Sequence, residues 1–215
     1  MKPLLCFDLD ETLIYSNPCH IKAFNKTFEE FGLKRIEEKK FAKLLQGEIA
    51  VIIIKKIYPK LPKEIVQKIV KRRNEIVIKE TYKYAKQIDN SAKVLKTLKK
   101  NYRIAVLSNC IHKEIFALLK GAKIPHNLVD RVIGKDEVKH TKPYPDEIFK
   151  AEKLLHEKAK FMIGDSIFDI KAAKKAKTKV ISVLTGNTPK TKIIKAKPDY
   201  ILRSVKYLPK LLKEV

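Results

Sequence analysis

Residues 6 to 16 read CFDLDETLIYS: an apolar run breaks on a carboxylate at Asp8, resumes for one residue, and breaks again at Asp10, with Thr12 two positions on. Together with the preceding PLL, the run is short, continuous and β-rich, the pattern of a strand buried on both faces. Two aspartates at the mouth of such a strand stand where an open parallel sheet receives its ligands, beyond the carboxyl ends of its strands.

Further along the chain the same kind of run recurs: YRIAVLS (102 to 108), LVDRVIG (128 to 134), KFMIGD (160 to 165), KVISVL (179 to 184) and DYIL (199 to 202). The segments between these later runs have a mostly helical period. HKEIFALLKGA sets Ile115, Leu118 and Leu119 on one face and closes at Gly121, while PDEIFKAEKLLHE opens on Pro145 and two acids, as a helix start should. Alternating strand and helix predicts an α/β fold, a doubly wound parallel sheet with helices on both faces.

Between the first and second strands, however, about 90 residues separate Leu13 from Tyr102, where a crossover needs only a dozen or more. The excess reads as a small helical domain. Ile21, Phe24, Phe28 and Phe31 form one stripe before Gly32; Phe41, Leu44 and Leu45 lead to Gly47; GEIAVIIIKKIY reads as a buried helix; and Pro62 opens a long pattern carrying Ile65, Ile69, Ile76 and Val77. The expected division is a core of residues 1–15 and 88–215 with a helical cap of residues 16–87 inserted into it.

Composition narrows the function classes. With 45% apolar content, 215 residues can bury one good core and a satellite. The longest apolar run, IAVIII, is far short of the roughly 20 residues of a membrane helix, and no secretory pattern opens the chain, so a cytoplasmic protein without membrane partners is expected. Three cysteines form no C-x-x-C spacing, and Cys19 beside His20 or Cys110 near His112 read as ordinary structural residues rather than metal ligands. The net charge of +24 favours anionic partners. Its lysines are spread over nearly every segment, without tryptophan or an RNA-recognition or zinc-finger pattern, so nucleic acid is a possible but not a favoured partner. The sequence is silent on oligomeric state.

The residues that end the strands supply the chemistry. Strand one ends on Asp8 and Asp10, strand two on Ser108 and Asn109, and the fourth on Gly164 and Asp165, with Asp169 one helical turn later; Lys142 lies between them in KHTKPYPD. Two carboxylates about 4 Å apart repel by roughly 4 kcal/mol at an effective dielectric near 20. A cation is therefore required, and hard oxygen ligands suit Mg²⁺, which also accepts a phosphate oxygen. Lys142 and the hydroxyl of Ser108 complete a crevice complementary to a phosphoryl group. In such a site an aspartate can attack phosphorus while a neighbouring carboxylic acid protonates the leaving oxygen and later deprotonates water. Taken singly, Asp-x-Asp is also a solvated strand end, and Ser166 with Asp169 is also a helix capping box.

Four ordered signatures, DLDET (8 to 12), LSN (107 to 109), KPYPD (142 to 146) and GDSIFD (164 to 169), resemble those of the haloacid dehalogenase superfamily of aspartate-dependent phosphohydrolases, in particular members like phosphoglycolate phosphatase and β-phosphoglucomutase with a small helical cap. The resemblance continues into YSNPCHIKAFNKTFEEFG and covers most of the chain. It implies a Rossmann-like core, Asp8 as nucleophile, and Asp10 as general acid and base. Lys142 would neutralise Asp8 and the phosphate, Thr12 would support the nucleophile loop on the phosphate side, and Ser108 and Asn109 would bind phosphoryl oxygens. The metal would be held by Asp8, the Asp10 carbonyl and Asp165, with Asp169 orienting its waters or Lys142. Glu11 departs from the glycine that the family usually carries there.

Ser108 and Lys142 are only 34 positions apart, which leaves room for βα units but not for a second cap. A lid of this kind implies small phosphorylated metabolites as substrates, chosen by cap residues such as His20, Lys22 and Gln46. Asp10 implies phosphate chemistry rather than carbon–halogen cleavage. A phosphosugar mutase is the alternative, although mutases of this type tend to place an acid where Gly164 stands. A polynucleotide end phosphatase or basic nucleic-acid-associated protein is the reading from another class.

Overall fold

The computed structural model describes residues 2–42, 44 and 47–215. Leu45 and Gln46, a helix-stripe residue and a cap substrate residue in the expectations above, lie outside them.

Strands β1 (Leu4–Asp8), β4 (Arg103–Ser108), β5 (Arg131–Gly134), β6 (Ala159–Gly164), β7 (Lys179–Val183) and β8 (Tyr200–Leu202) form a six-stranded sheet in the order β5-β4-β1-β6-β7-β8. Every pairing in it is parallel. The apolar runs are continuous because both faces are covered. Leu5, Phe7, Val106 and Ile163 point into one buried cluster with α5 (Ser91–Leu98) and α6 (His112–Gly121). Leu4, Cys6, Leu107 and Met162 point into the other, against α7 (Asp146–Leu155) and α8 (Ile167–Lys175). The short α9 (Lys190–Lys195) and α10 (Leu208–Leu211) close the two faces near β8.

From β1 the chain builds outward through β4 to β5 and then returns to the other side of β1 with β6. The strand order thus reverses at β1, and the crevice opens beyond Asp8, the last residue of that strand.

The long insertion is helical: α1 (Asn17–Glu30), α2 (Glu38–Ala42), α3 (Ala50–Ile57) and α4 (Lys63–Lys79). Ile21, Phe24, Phe28, Phe41, Ile53, Ile54, Val66 and Ile69 bury against one another in a cluster of their own. Phe24 stacks obliquely on Phe41 at 5.0 Å and Tyr58 meets Phe28 edge-on at 5.2 Å. Truncating any of the buried phenylalanines to alanine carries a typical cost of about 3–5 kcal/mol. IAVIII folds as a helix because Ile53 and Ile54 face this cluster.

A two-stranded antiparallel ribbon, β2 (Ile14–Tyr15) with β3 (Lys86–Gln87), ties the two ends of the insertion together. It is too short to leave a periodic signal in the sequence. Among the described residues, no helix is long and apolar enough to cross a membrane.

Candidate active site

The loop after β1 makes a sharp turn. Glu11 stands in the left-handed region at φ +55°, and the backbone N–H groups of Leu13 and Ile14 both donate to the Leu9 carbonyl. A non-glycine residue is uncommon in that conformation. Here the Glu11 carboxylate has a function that glycine could not supply. Its Oε1 accepts from the backbone of Ser16 at 2.9 Å and Asn17 at 3.0 Å, satisfying free N–H groups at the start of α1. Ser16, the residue at the cap position, is thereby released, and its hydroxyl donates instead to Asp10 Oδ1 at 2.5 Å.

Lys142 reaches the crevice from the loop before α7 and is buried in it. Its ammonium bonds Asp8 Oδ1, Asp169 Oδ1 at 2.8 Å and the Leu107 carbonyl at 3.2 Å. Burial opposes its charge, but Asp169 and Asp8 outweigh that and hold its pKa well above the ordinary lysine value. Burial drives the Asp8 carboxyl well up, against the pull of Lys142 and with Asp169 and Asp10 adding to the rise. Asp165 is likewise pushed well up by burial, with Asp8 and Asp169 next in effect.

Oxygens of Asp8, Asp165 and Asp169 lie within 4.8 Å of one another. Three buried carboxylates share one ammonium, which leaves the negative charge under-compensated, and the donors are hard oxygens. A divalent cation fits this set. Asp169 also closes a capping box on α8, its Oδ2 accepting from Ser166 N at 3.1 Å while Ser166 Oγ accepts from Asp169 N at 3.3 Å. The helix-start reading and the site reading of Asp169 therefore hold together: one oxygen faces Ser166 and the other Lys142.

Asp10 is arranged differently. Besides Ser16 it meets His20 Nε2 at 2.8 Å and Ser108 Oγ at 3.1 Å. Burial pushes its carboxyl up, but His20, Ser16 and Ser108 together outweigh burial and hold it well below the ordinary range. Behind His20, the Arg73 guanidinium of α4 contacts its Nδ1 and pairs with the fully buried Glu114 of α6 at 2.6 Å. Arg73 and Glu114 were not singled out from the sequence: each lies in an unremarkable helical heptad, and only the fold brings them to Asp10.

The cavity above these groups is lined from the core by Asp8, Asp10, Ser108, Asn109, Lys142 and Asp165, and from the insertion by Phe24, Ala50 and Ile53, with His20 and Arg73 between. Asn109 bridges the two sides, its Nδ2 donating to the Gly47 carbonyl at 2.6 Å and to that of Lys142 at 3.2 Å.

Two of the expected residues are placed elsewhere. Thr12 is fully buried and does not line the cavity; its hydroxyl donates to Asp165 Oδ1 at 3.2 Å, so its side chain steadies an acid rather than meeting phosphate. Lys22 points away, its ammonium 4.9 Å from the Tyr84 ring centre in a surface groove with Lys26 and Glu80. The reason is helical geometry: residues two apart on α1 fall on nearly opposite faces, and His20 takes the inner one.

The family model for haloacid dehalogenase-like hydrolases matches residues 5–183. A phosphoglycolate phosphatase of Aquifex aeolicus (strain VF5) is 29% identical over 214 residues, covering 97% of this chain and 96% of the relative. The pyrophosphatase PpaX of Listeria innocua serovar 6a is 27% identical over 213 residues, covering 98% and 96%. Among solved structures, CbbY from Rhodobacter sphaeroides in complex with phosphate has the same fold, with a TM-score of 0.82 at 21% identity over 97% of this chain and 96% of that one. A hydrolase from Pseudomonas syringae aligns with a TM-score of 0.83 at 19% identity over 100% and 99%.

Proposed function

Because the chain belongs to the haloacid dehalogenase-like hydrolase family and is a hydrolase of phosphoric monoesters, we propose that it releases phosphate from a small phosphorylated metabolite with Mg²⁺ as its cation, Asp8 serving as nucleophile. The observation that carries this reading is the Lys142 ammonium held between Asp8 and Asp169, beside Asp165, in one buried crevice at the strand ends. Relatives named for phosphoglycolate and pyrophosphate hydrolysis support a compact substrate.

In this reading Asp8 attacks phosphorus and forms an aspartyl phosphate, with Lys142 neutralising both the attacking carboxylate and the phosphoryl oxygens. Bound Mg²⁺, held by Asp8, Asp165 and the Asp10 carbonyl with Asp169 alongside, would offset the carboxylate repulsion and polarise the phosphoryl group. Ser108 and Asn109 bind phosphoryl oxygens once their present acceptors, Asp10 and the Gly47 and Lys142 carbonyls, are exchanged for substrate.

Asp10 carries the proton. As arranged, His20, Ser16 and Ser108 keep it ionised, the form that deprotonates the hydrolytic water. To act first as the acid, it must lose part of that stabilisation, and two of those partners, Ser16 and His20, belong to the entry into the insertion. Residues 16–87 act as a cap whose closure over substrate exchanges these contacts and excludes water.

Hydrolysis is favoured over a mutase by Gly164. A Cβ there would lie 2.3 Å from Asp169 Cγ, so the acid of a mutase cannot be accommodated with Asp169 as placed. Beside the apolar Phe24, Ala50 and Ile53, the polar His20, Glu48 and Arg73 of the cap side are paired with Asp10, Lys56 and Glu114, which leaves few free partners for a polyhydroxylated sugar.

The test is phosphate release from a panel of phosphoglycolate, pyrophosphate, sugar phosphates and nucleoside monophosphates, with and without Mg²⁺. Mg²⁺-dependent release from the small members, and little from sugar phosphates, is expected. A folded protein silent across the panel would overturn the reading.

A further inference from the structure

We propose that Asp10, His20 and Cys110 form a second metal site, selective for a thiophilic divalent cation such as Zn²⁺ and separate from the all-oxygen cluster of Asp8, Asp165 and Asp169. The sequence gives no hint of it, since the three residues are separated by 10 and 90 positions and form no zinc spacing. The fold brings them together from the loop after β1, from α1 and from the segment after β4.

His20 Nε2 lies 2.8 Å from Asp10 Oδ1, Cys110 Sγ lies 3.5 Å from Asp10 Oδ2, and one ligand atom from each of the three fits within 4.8 Å of the others. Metal–ligand lengths of about 2.0–2.1 Å for N and O and 2.3 Å for S place tetrahedral neighbours about 3.3 Å apart, or about 3.5 Å where sulfur is one of them. The His20–Asp10 side is within about 0.5 Å of that spacing, and the 4.8 Å limit keeps every side within about 1.5 Å of it. All three residues also line the cavity, which leaves a fourth position open to water or an anion.

The donor types decide the cation. Thiolate and imidazole favour Zn²⁺, whereas Mg²⁺ prefers the carboxylate set nearby. Burial and the carboxylates of Asp10 and Glu114 push the Cys110 thiol well up, so it remains protonated until a cation displaces the proton to solvent. On His20 the proton moves from Nε2 to Nδ1 to free the ligating lone pair, which requires the Arg73 guanidinium now against Nδ1 to turn away, toward the buried and unpaired Glu114 Oε2. Glu114 Oε1, 3.5 Å from His20 Nδ1, then stands as the acceptor for that proton. A carboxylate behind a ligating histidine fixes its tautomer and strengthens its binding.

Occupancy would take the Asp10 carboxylate out of proton transfer while leaving the oxygen cluster free for Mg²⁺. That inhibitory consequence rests on the role of Asp10 given above; the site itself does not.

Co²⁺ in place of Zn²⁺ gives a direct readout, because a cobalt–thiolate bond produces a near-ultraviolet charge-transfer band and carboxylate ligation does not. Titrating the full chain with Co²⁺ under saturating Mg²⁺ is expected to produce that band, with about one equivalent of Zn²⁺ removing it. Cys110→Ser and His20→Gln should each abolish it, while Cys19→Ser and Asp165→Asn should keep it. A folded wild type that shows no band, or a band that survives Cys110→Ser, would overturn the site. In parallel, Zn²⁺ should inhibit phosphate release under saturating Mg²⁺. A cobalt band without zinc inhibition would leave the site standing and overturn its inhibitory role, pointing to the assignment of Asp10 rather than to the metal ligands.

Discussion

Neighbouring acids in this crevice are held in opposite states by what surrounds them. Asp10 is hydrogen-bonded by Ser16, His20, Ser108 and Cys110 and is kept below the ordinary carboxylate range, whereas Asp165 is buried among other acids and pushed above it. Separation of carboxylate environments is the general means by which one site divides acid–base from other carboxylate roles, and it accords with the roles proposed for Asp10 and Asp165. Glu147, on the first turn of α7, belongs to the same electrostatic field. It is fully buried, neither oxygen makes a hydrogen bond, and burial, against the pull of Lys142, lifts it from 4.5 to about 7. A carboxyl whose folded value is raised contributes stability that is fully present below its unfolded value and is lost as pH rises through the folded one. The relevant window here runs from 4.5 to about 7. Glu147→Gln should therefore stabilise the protein above that window by up to about 3 kcal/mol and have little effect at its lower end. Thermal unfolding of both proteins across pH measures the difference; equal shifts at both ends would contradict it.

At the scale of elements, the sheet was legible because its strands are buried on both faces and read as continuous runs. The strand ends pointed to Asp8 and Asp165 for the same reason: an ionised residue after such a run has few places to be, whereas Lys142 was read from the KHTKPYPD loop before α7. What the sequence could not show were partners fixed by the return of distant segments. Arg73 and Glu114 meet behind His20 across 41 positions. The hydroxyl of Thr12 turns to Asp165 rather than to the cavity, and Lys22 is carried outward by the turn of α1. Glu11, read as a departure from glycine, proves to cap α1 with its side chain.

Gly186, in the turn after β7, is another such partner. A Cβ on it would fall 1.7 Å from Asp165 Oδ2, so the Asp165 carboxylate sits in space that only glycine leaves open. Gly186→Ala should displace Asp165 and weaken Mg²⁺ activation by roughly 10–100-fold, the usual effect of disturbing the support of a metal ligand. The Mg²⁺ concentration giving half-maximal phosphate release is the quantity to compare. An unchanged value would separate Asp165 from the metal.

For the whole molecule, a helical insertion with its own aromatic cluster rests on a Rossmann-like core and supplies half the cavity wall. The +24 charge belongs to this scale too, since lysines occur on nearly every segment. A diffuse positive surface attracts polyanions, but counterion release makes that attraction fall steeply with salt. Affinity for duplex DNA and for RNA should accordingly be lost near physiological ionic strength, as followed by fluorescence anisotropy. Tight binding persisting there would return the nucleic-acid reading to first place.

Attack of Asp8 on phosphorus is probed by phosphate release from the best small substrate by the wild type and Asp8→Asn at saturating Mg²⁺. The substitution keeps the shape of the side chain and removes the nucleophile, so the fold should persist, as checked by circular dichroism, while turnover falls by roughly 10⁴-fold or more. A folded Asp8→Asn protein with turnover close to wild type would rule out Asp8 as the nucleophile.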